Sequence, residues 1–166
     1  MNQVTVIDYG IANLANVVRA LEHVGGKVEV ASDPDKVLHS SRIILPGVGA
    51  FGPGMMELKT KGLDEAIISA VKDGVPLLGI CLGMQMLFES SRENGWHEGL
   101  AIIPGEIVPI PARDSHNVMK RKVPHIGWSE LVSAEADKKW GSTCLAGVSN
   151  GDFVYFVHSF MAAPRK

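Results

Sequence analysis

Gly79-Ile80-Cys81-Leu82-Gly83 sets a thiol between two glycines, each two residues away, where an apolar run gives way to a helix-forming segment. That pattern is a nucleophile elbow with cysteine in the place usually held by serine. A sharp strand-to-helix reversal forces the nucleophile into a strained conformation, and the glycines keep Cβ atoms out of the crowded turn. The same reversal puts the sulfur at a helix N-terminus, whose dipole and unpaired N–H groups favour thiolate over thiol. A thiolate of that kind attacks acyl carbon near neutral pH. The inert alternative, a small buried residue closing a core strand, stays open at this point. Cys144, in Gly141-Ser142-Thr143-Cys144-Leu145, lacks the pattern and reads as an unreactive thiol.

A second signal precedes the first. Leu45-Pro46-Gly47-Val48-Gly49-Ala50-Phe51 carries a strand into a loop with two glycines separated by one residue. Backbone N–H groups freed there, together with that of Leu82, could form an oxyanion hole for the tetrahedral intermediate of acyl transfer. A simple turn would use the same glycines.

Positioning these groups requires a regular scaffold. Val4–Ile7, Val28–Val30, Arg42–Leu45 and Pro76–Ile80 read as buried strands. Leu14, Val17, Val18 and Leu21 mark one helical face, stopped by Gly25-Gly26, and Asp33-Pro34 opens a short helical turn. Leu63, Ile67, Ile68 and Val71 give a further helix, and Gly83–Ser91 has helix-forming composition. Strands alternating with helices predict an α/β fold: a mostly parallel central sheet covered on both faces, with a site at the carboxyl ends of the strands. Between residues 96 and 135 the prolines 104, 109, 111 and 124 among short apolar pieces predict irregular or antiparallel structure. Phe153–Phe160 is the last expected strand.

The 166 residues suit one domain, and 46% hydrophobic content suffices for its core. A formal charge of −2 gives no field for steering a polyanion, so nucleic acid is not expected as a partner. The one basic cluster, Lys120-Arg121-Lys122, reads as a solvated loop. The apolar stretch Val75–Phe88, broken by Gly79, Gly83 and Gln85, falls short of the ~20 residues a membrane span needs. No secretory signal opens the chain, and two cysteines read as free thiols, so the cytoplasm is expected. No Cys/His cluster has metal-ligand spacing, and no cofactor is expected.

The chain resembles the class I glutamine amidotransferases, and within them the glutaminase subunits of imidazole glycerol phosphate synthase. The resemblance is carried by Ile7-Asp8-Tyr9-Gly10 with Asn13-Leu14, by Leu45–Phe51, and by Gly79-Ile80-Cys81-Leu82-Gly83-Met84-Gln85. Pro124-His125-Ile126-Gly127-Trp128 and Tyr155-Phe156-Val157-His158-Ser159 follow in the same order. It implies a flavodoxin-like three-layer sandwich with an added antiparallel section. It implies that Cys81 attacks L-glutamine to form a γ-glutamyl thioester, releasing ammonia and then glutamate. Val48, Gly49 and Leu82 take the oxyanion role. Gly47, Gly49, Gln85, Ser159 and Phe160 match substrate-binding positions, Phe160 standing where relatives usually have tyrosine. Asn13 and Trp128 match positions that face a (β/α)8-barrel cyclase subunit in a heterodimer, to which the ammonia passes.

Ile11-Ala12 departs from the family pattern, where many relatives have a further glycine. The larger departure concerns the base, expected as a histidine followed two residues later by glutamate near the C-terminus. None of the six histidines has that neighbour: His97-Glu98 is adjacent, and His125 and His158 are followed by Ile126-Gly127 and Ser159-Phe160. The expectation is therefore one amidotransferase domain, 1–166, truncated at its C-terminus and short of full activity. His158 and His125 read as structural, His23 and His39 as exposed on helices, and His116 as part of a polar loop. A sibling amidotransferase with another ammonia acceptor, or a catalytically silent scaffold subunit, would share these motifs.

Overall fold

The computed structural model describes residues 3–113, 122–133, 140, 141 and 143–165. His116 and the Lys120-Arg121 pair lie outside the described residues. The chain forms two compact units, Met1–Pro109 with Phe160–Lys166, and Ile110–Ser159.

In the larger unit, β1 (Gln3–Ile7), α1 (Leu14–His23), β2 (Lys27–Ala31), α2 (Pro34–Leu38) and β3 (Ile43–Leu45) follow the expected alternation. Helices α3 (Phe51–Thr60) and α4 (Leu63–Lys72), strand β4 (Leu77–Gly79) and helix α5 (Leu82–Met86) continue it. The strands form one parallel sheet in the order β2-β1-β3-β4, with Thr5 opposite Ile43 and Leu45 opposite Gly79. Local chemistry explains the boundaries. Asp33 caps α2 by accepting from the Asp35 amide at 2.9 Å, and Pro34 sits at its first position. Past α1, the amides of Gly25 and Gly26 bond back to the carbonyls of Glu22 and Leu21.

Alternation along the strands divides the apolar residues between two faces. Ile7, Ala31, Ile43 and Leu45 pack with Val37, Leu58, Leu63, Ile67, Leu82 and Met86 into the main core. Full burial of one such side chain stabilises the fold by about 1.5–3 kcal/mol. Helix α4 turns Leu63, Ala66, Ile67 and Ala70 inward, a face rotated from the expected one, so Ile68 and Val71 are only half-buried. The opposite face of the sheet meets α1, whose Val17 and Leu21 line a groove with Ile44, Leu78 and Ile80. One helix is about 10 Å wide and four strands span more than that. Leu78 is accordingly 46% exposed, and no residue of α1 is fully buried.

Two expectations give way here. Segment 83–91 is not one helix: α5 ends at Met86, and Phe88–Ser91 is strand β5, with Ser90 and Ser91 buried and paired to Glu106 and Ile107. Tertiary pairing overrides a weak local preference. The strand expected over 153–160 is two strands, broken at Ser159. With β6 (His97–Glu98), β7 (Ile103–Pro109) and β10 (Phe160–Pro164), β5 makes a second sheet in the order β10-β7-β5-β6. Its β5–β7 pair is parallel and its other pairs antiparallel. Glu89 ties three of these strands together, accepting from the Gly105 amide at 2.7 Å and pairing with Arg165 beyond β10. The Gly105 bond first, then Arg165, holds its carboxyl below the usual range.

The smaller unit contains an antiparallel hairpin of β8 (His125–Glu130) and β9 (Phe153–His158). Trp128 faces Tyr155 across the ladder, and His125 faces His158.

Candidate active site

Cys81 stands between β4 and α5 at φ 54°, ψ −114°, a positive φ that few side chains adopt. The thiol is free and exposed. The glycines around it answer close approach rather than φ. A Cβ on Gly83 would lie 1.8 Å from the Leu45 carbonyl oxygen, and one on Gly79 would lie 2.5 Å from Cα of Met84. The reversal is pinned by Ile80, whose amide donates to Leu45 O at 2.9 Å and whose carbonyl accepts from the Gly83 amide at 3.0 Å.

The glycine loop 46–50 lies against this turn. A Cβ on Gly47 would meet the Tyr9 hydroxyl at 2.5 Å, the Gly83 nitrogen at 2.8 Å and Cβ of Leu82 at 2.9 Å. Gly49 takes φ +92°, which a side chain would strain. The amides of Gly47, Val48, Gly49, Ala50 and Leu82 donate to no partner among the described residues. Unpaired N–H groups on both limbs are what an oxyanion hole requires.

Gln85 lies one turn past the thiol, its amide bonded to the Cys81 carbonyl at 3.1 Å. Its side-chain nitrogen donates to the Phe160 carbonyl at 3.5 Å, so two expected substrate-binding residues touch. Ser159, in the smaller unit, is half-buried and its carbonyl accepts from the Ile110 amide at 2.9 Å. Asn13 precedes α1, exposed and without a capping bond. Trp128 is 67% exposed and packs edge-on against Tyr155 with ring centroids 5.6 Å apart.

His125 Nδ1 lies 3.0 Å from His158 Nε2, and its Nε2 lies 3.1 Å from Ser129 Oγ, while its ring stacks on Phe156. His23 and His39 are exposed, one ending α1 and the other capping α2. Cys144 is exposed as well, so access alone does not separate the two thiols.

Two contributions near the site escaped the sequence reading, although Tyr9 itself stands in one of the quoted motifs. Tyr9 is fully buried, and its hydroxyl has no hydrogen-bond partner among the described residues. Burial first, then the neighbouring Cys81, pushes its pKa well above the ordinary phenol value. Glu93 accepts from the Phe51 amide at 2.7 Å, where the glycine loop enters α3. Neither contact has a local sequence signature. No group of three or more His, Cys, Asp and Glu side chains among the described residues could hold a metal ion. No helix among them is long and apolar enough to cross a membrane.

The family model "Glutamine amidotransferase class-I" matches residues 5–166. An "Imidazole glycerol phosphate synthase subunit HisH 1" of Legionella pneumophila (strain Lens) is 46% identical over 99% of this chain and 76% of its own length. A subunit HisH of Wolinella succinogenes is 44% identical over 98% of this chain and 76% of its own. One from Moorella thermoacetica is 42% identical over 100% and 73%. A crystal structure of a glutamine amidotransferase superposes with a TM-score of 0.60 over 76% of this chain and 62% of that one, at 16% identity, a likeness of fold.

Proposed function

The chain belongs to the class-I glutamine amidotransferases, and from that premise we propose that it is the glutaminase subunit of an imidazole glycerol phosphate synthase. It hydrolyses L-glutamine to glutamate and ammonia and delivers the ammonia to a cyclase subunit in histidine biosynthesis. One observation carries the reading: an exposed thiol at positive φ, in a turn that only glycines at 79 and 83 allow, beside a loop of unpaired amides.

The thiolate of Cys81 adds to the side-chain amide carbon of glutamine, and the carbonyl oxygen becomes an oxyanion. Amides of Val48, Gly49 and Leu82 stabilise that charge, the kind of contact worth ~10²- to 10³-fold in rate per donor. Collapse breaks the C–N bond, and the nitrogen leaves as ammonia once it takes up a proton. Water then attacks the thioester, giving glutamate and restoring the thiol. Gly47, Gln85, Ser159 and Phe160 hold the amino-acid end of the substrate. The contact of Gln85 with the Phe160 carbonyl supports the pairing of those two residues. The histidine–glutamate base that the family resemblance calls for has no counterpart within residues 1–166.

Asn13 and Trp128 face the cyclase, which we take to be a (β/α)8 barrel forming a heterodimer with this chain. The free thiols suit a reducing compartment, and the cytoplasm is the proposed location.

The test measures glutamate release and ammonia transfer to the precursor of imidazole glycerol phosphate, with and without the cyclase subunit. Labelling by 6-diazo-5-oxo-L-norleucine, a γ-electrophilic glutamine analogue, follows in parallel. Transfer to that acceptor with labelling at Cys81 supports the proposal. Transfer only to another acceptor would identify a sibling amidotransferase, and neither labelling nor turnover would leave a silent scaffold.

A further inference from the structure

Among the described residues the loop 46–50 is bonded only at its far end, where the Ala50 carbonyl accepts from the Gly54 amide at 3.2 Å. None of the amides of residues 47–50 donates to a described residue, so its geometry depends on how its two ends are held. One end is secure: Leu45 lies fully buried in the parallel sheet and accepts from the Ile80 amide. The other end is the first turn of α3, and that helix begins badly. Ala50 at its N-cap has no side-chain acceptor, so the first amides of the helix receive no capping bond from that residue. The Phe51 amide is bonded from elsewhere, by the Glu93 carboxylate at 2.7 Å.

Glu93 is itself held. Its amide donates to Ser91 Oγ at 3.1 Å, and Ser91 is buried at the end of β5. Beyond the turn, His97 packs on Gly52 so closely that a Cβ there would sit 2.6 Å from the ring, and Glu98 pairs with Lys59 at 3.6 Å near the far end of α3. The β5–β6 hairpin therefore clamps α3 along its length, with a carboxylate at the end where the helix dipole is positive.

We propose that Glu93 is a positioning residue for glutamine hydrolysis: through the Phe51 amide it holds the Val48 and Gly49 amides in register with Cys81. This rests on the amidotransferase reading above. Misplacing oxyanion donors by a fraction of an ångström slows acylation without weakening glutamine binding to the same degree.

The test compares Glu93→Ala, Glu93→Asp and Glu93→Gln in the full chain. Readouts are glutamate release, labelling by 6-diazo-5-oxo-L-norleucine, and alkylation of Cys81 by iodoacetamide, which needs no oxyanion hole. Alanine and the shorter aspartate should lower kcat roughly tenfold or more, with KM changed less than about threefold, and slow the diazoketone to match. Iodoacetamide should react with Cys81 as before. Glutamine, whose side-chain oxygen still accepts from Phe51, should recover most of the loss. An unchanged kcat in the alanine variant overturns the proposal, as does a rise in KM alone or a glutamine variant as impaired as alanine. Absence of labelling in the unsubstituted chain sinks the amidotransferase reading instead, so the two failures are distinct.

Discussion

Cys81 bears a side chain at φ 54°, ψ −114°, where a non-glycine residue carries about 1–3 kcal/mol of strain. The strain belongs to the turn rather than to the sulfur, which separates two substitutions. Cys81→Ala should abolish glutamate release while keeping the strained Cβ; Cys81→Gly should abolish it and relax the turn, unfolding in urea at about 1 kcal/mol higher free energy than the alanine variant. Equal stabilities would mean the turn is unstrained. Tyr9 presents the complementary case, a buried hydroxyl without a partner among the described residues. Such a group costs about 1–3 kcal/mol, so Tyr9→Phe should stabilise the chain, raising Tm by roughly 2–4 °C for each kcal/mol removed. A lower Tm would show that the hydroxyl is bonded in solution. The raised pKa of Tyr9 has a sign that can be checked as well. Unfolded tyrosine ionises near pH ~10, so its contribution is complete below that pH and is lost as pH rises further, when only the unfolded chain releases the proton. In a Tyr155→Phe background, phenolate absorbance should develop only as the fold is lost.

At the scale of elements, the elbow is a packing problem solved by missing side chains. Gly83→Ala drives a Cβ to 1.8 Å from a backbone oxygen that is itself bonded to Ile80, and neither partner is a flexible side-chain end. It should cost at least about 2–3 kcal/mol and remove diazoketone labelling. Gly52→Ala should cost less, because the obstacle there is the His97 ring, which can swing away. Comparable losses in denaturant unfolding would put the constraint elsewhere. These glycines also show what could be read in advance. Strands β1 to β4 and helix α1 follow from apolar runs and spacing, because each closes a layer by local periodicity. The elbow was legible from its glycine spacing, although the approach that requires glycine at 83 is to the Leu45 carbonyl, distant in sequence. Helix α3 was not, since Phe51-Gly52-Pro53-Gly54 reads as loop. Pro53 is tolerated because a first-turn residue needs no donor, and Gly54 is small because Met86 Sδ and a Leu82 methyl stand 3.0 and 3.1 Å from where its Cβ would be. Strand β5, the break at Ser159 and the Glu93 bond have the same cause: each is imposed by a partner distant in sequence, which a local pattern does not encode.

For the whole molecule, an amidotransferase subunit must present both a site and a surface. The hairpin of β8 and β9 sorts its residues by alternation: His125, Ser129, Phe156 and His158 take part in one network, while Ile126, Trp128, Phe153, Tyr155 and Val157 are exposed. Five large apolar side chains in register across two strands form a contiguous patch, which a soluble surface rarely carries without a partner. Burial of a central tryptophan is the kind of contact that dominates an interface, costing about 2 kcal/mol or more on truncation. Trp128→Ala should therefore weaken association with the cyclase subunit by roughly thirtyfold or more, measured by titration calorimetry. Because Trp128 and Tyr155 touch edge to face, the loss in the Trp128→Ala, Tyr155→Ala double variant should fall short of the sum of the singles. Strict additivity would mean that the two rings meet the partner independently. Unchanged affinity in Trp128→Ala would move the docking surface off this hairpin, leaving Asn13 to be tested at the start of α1.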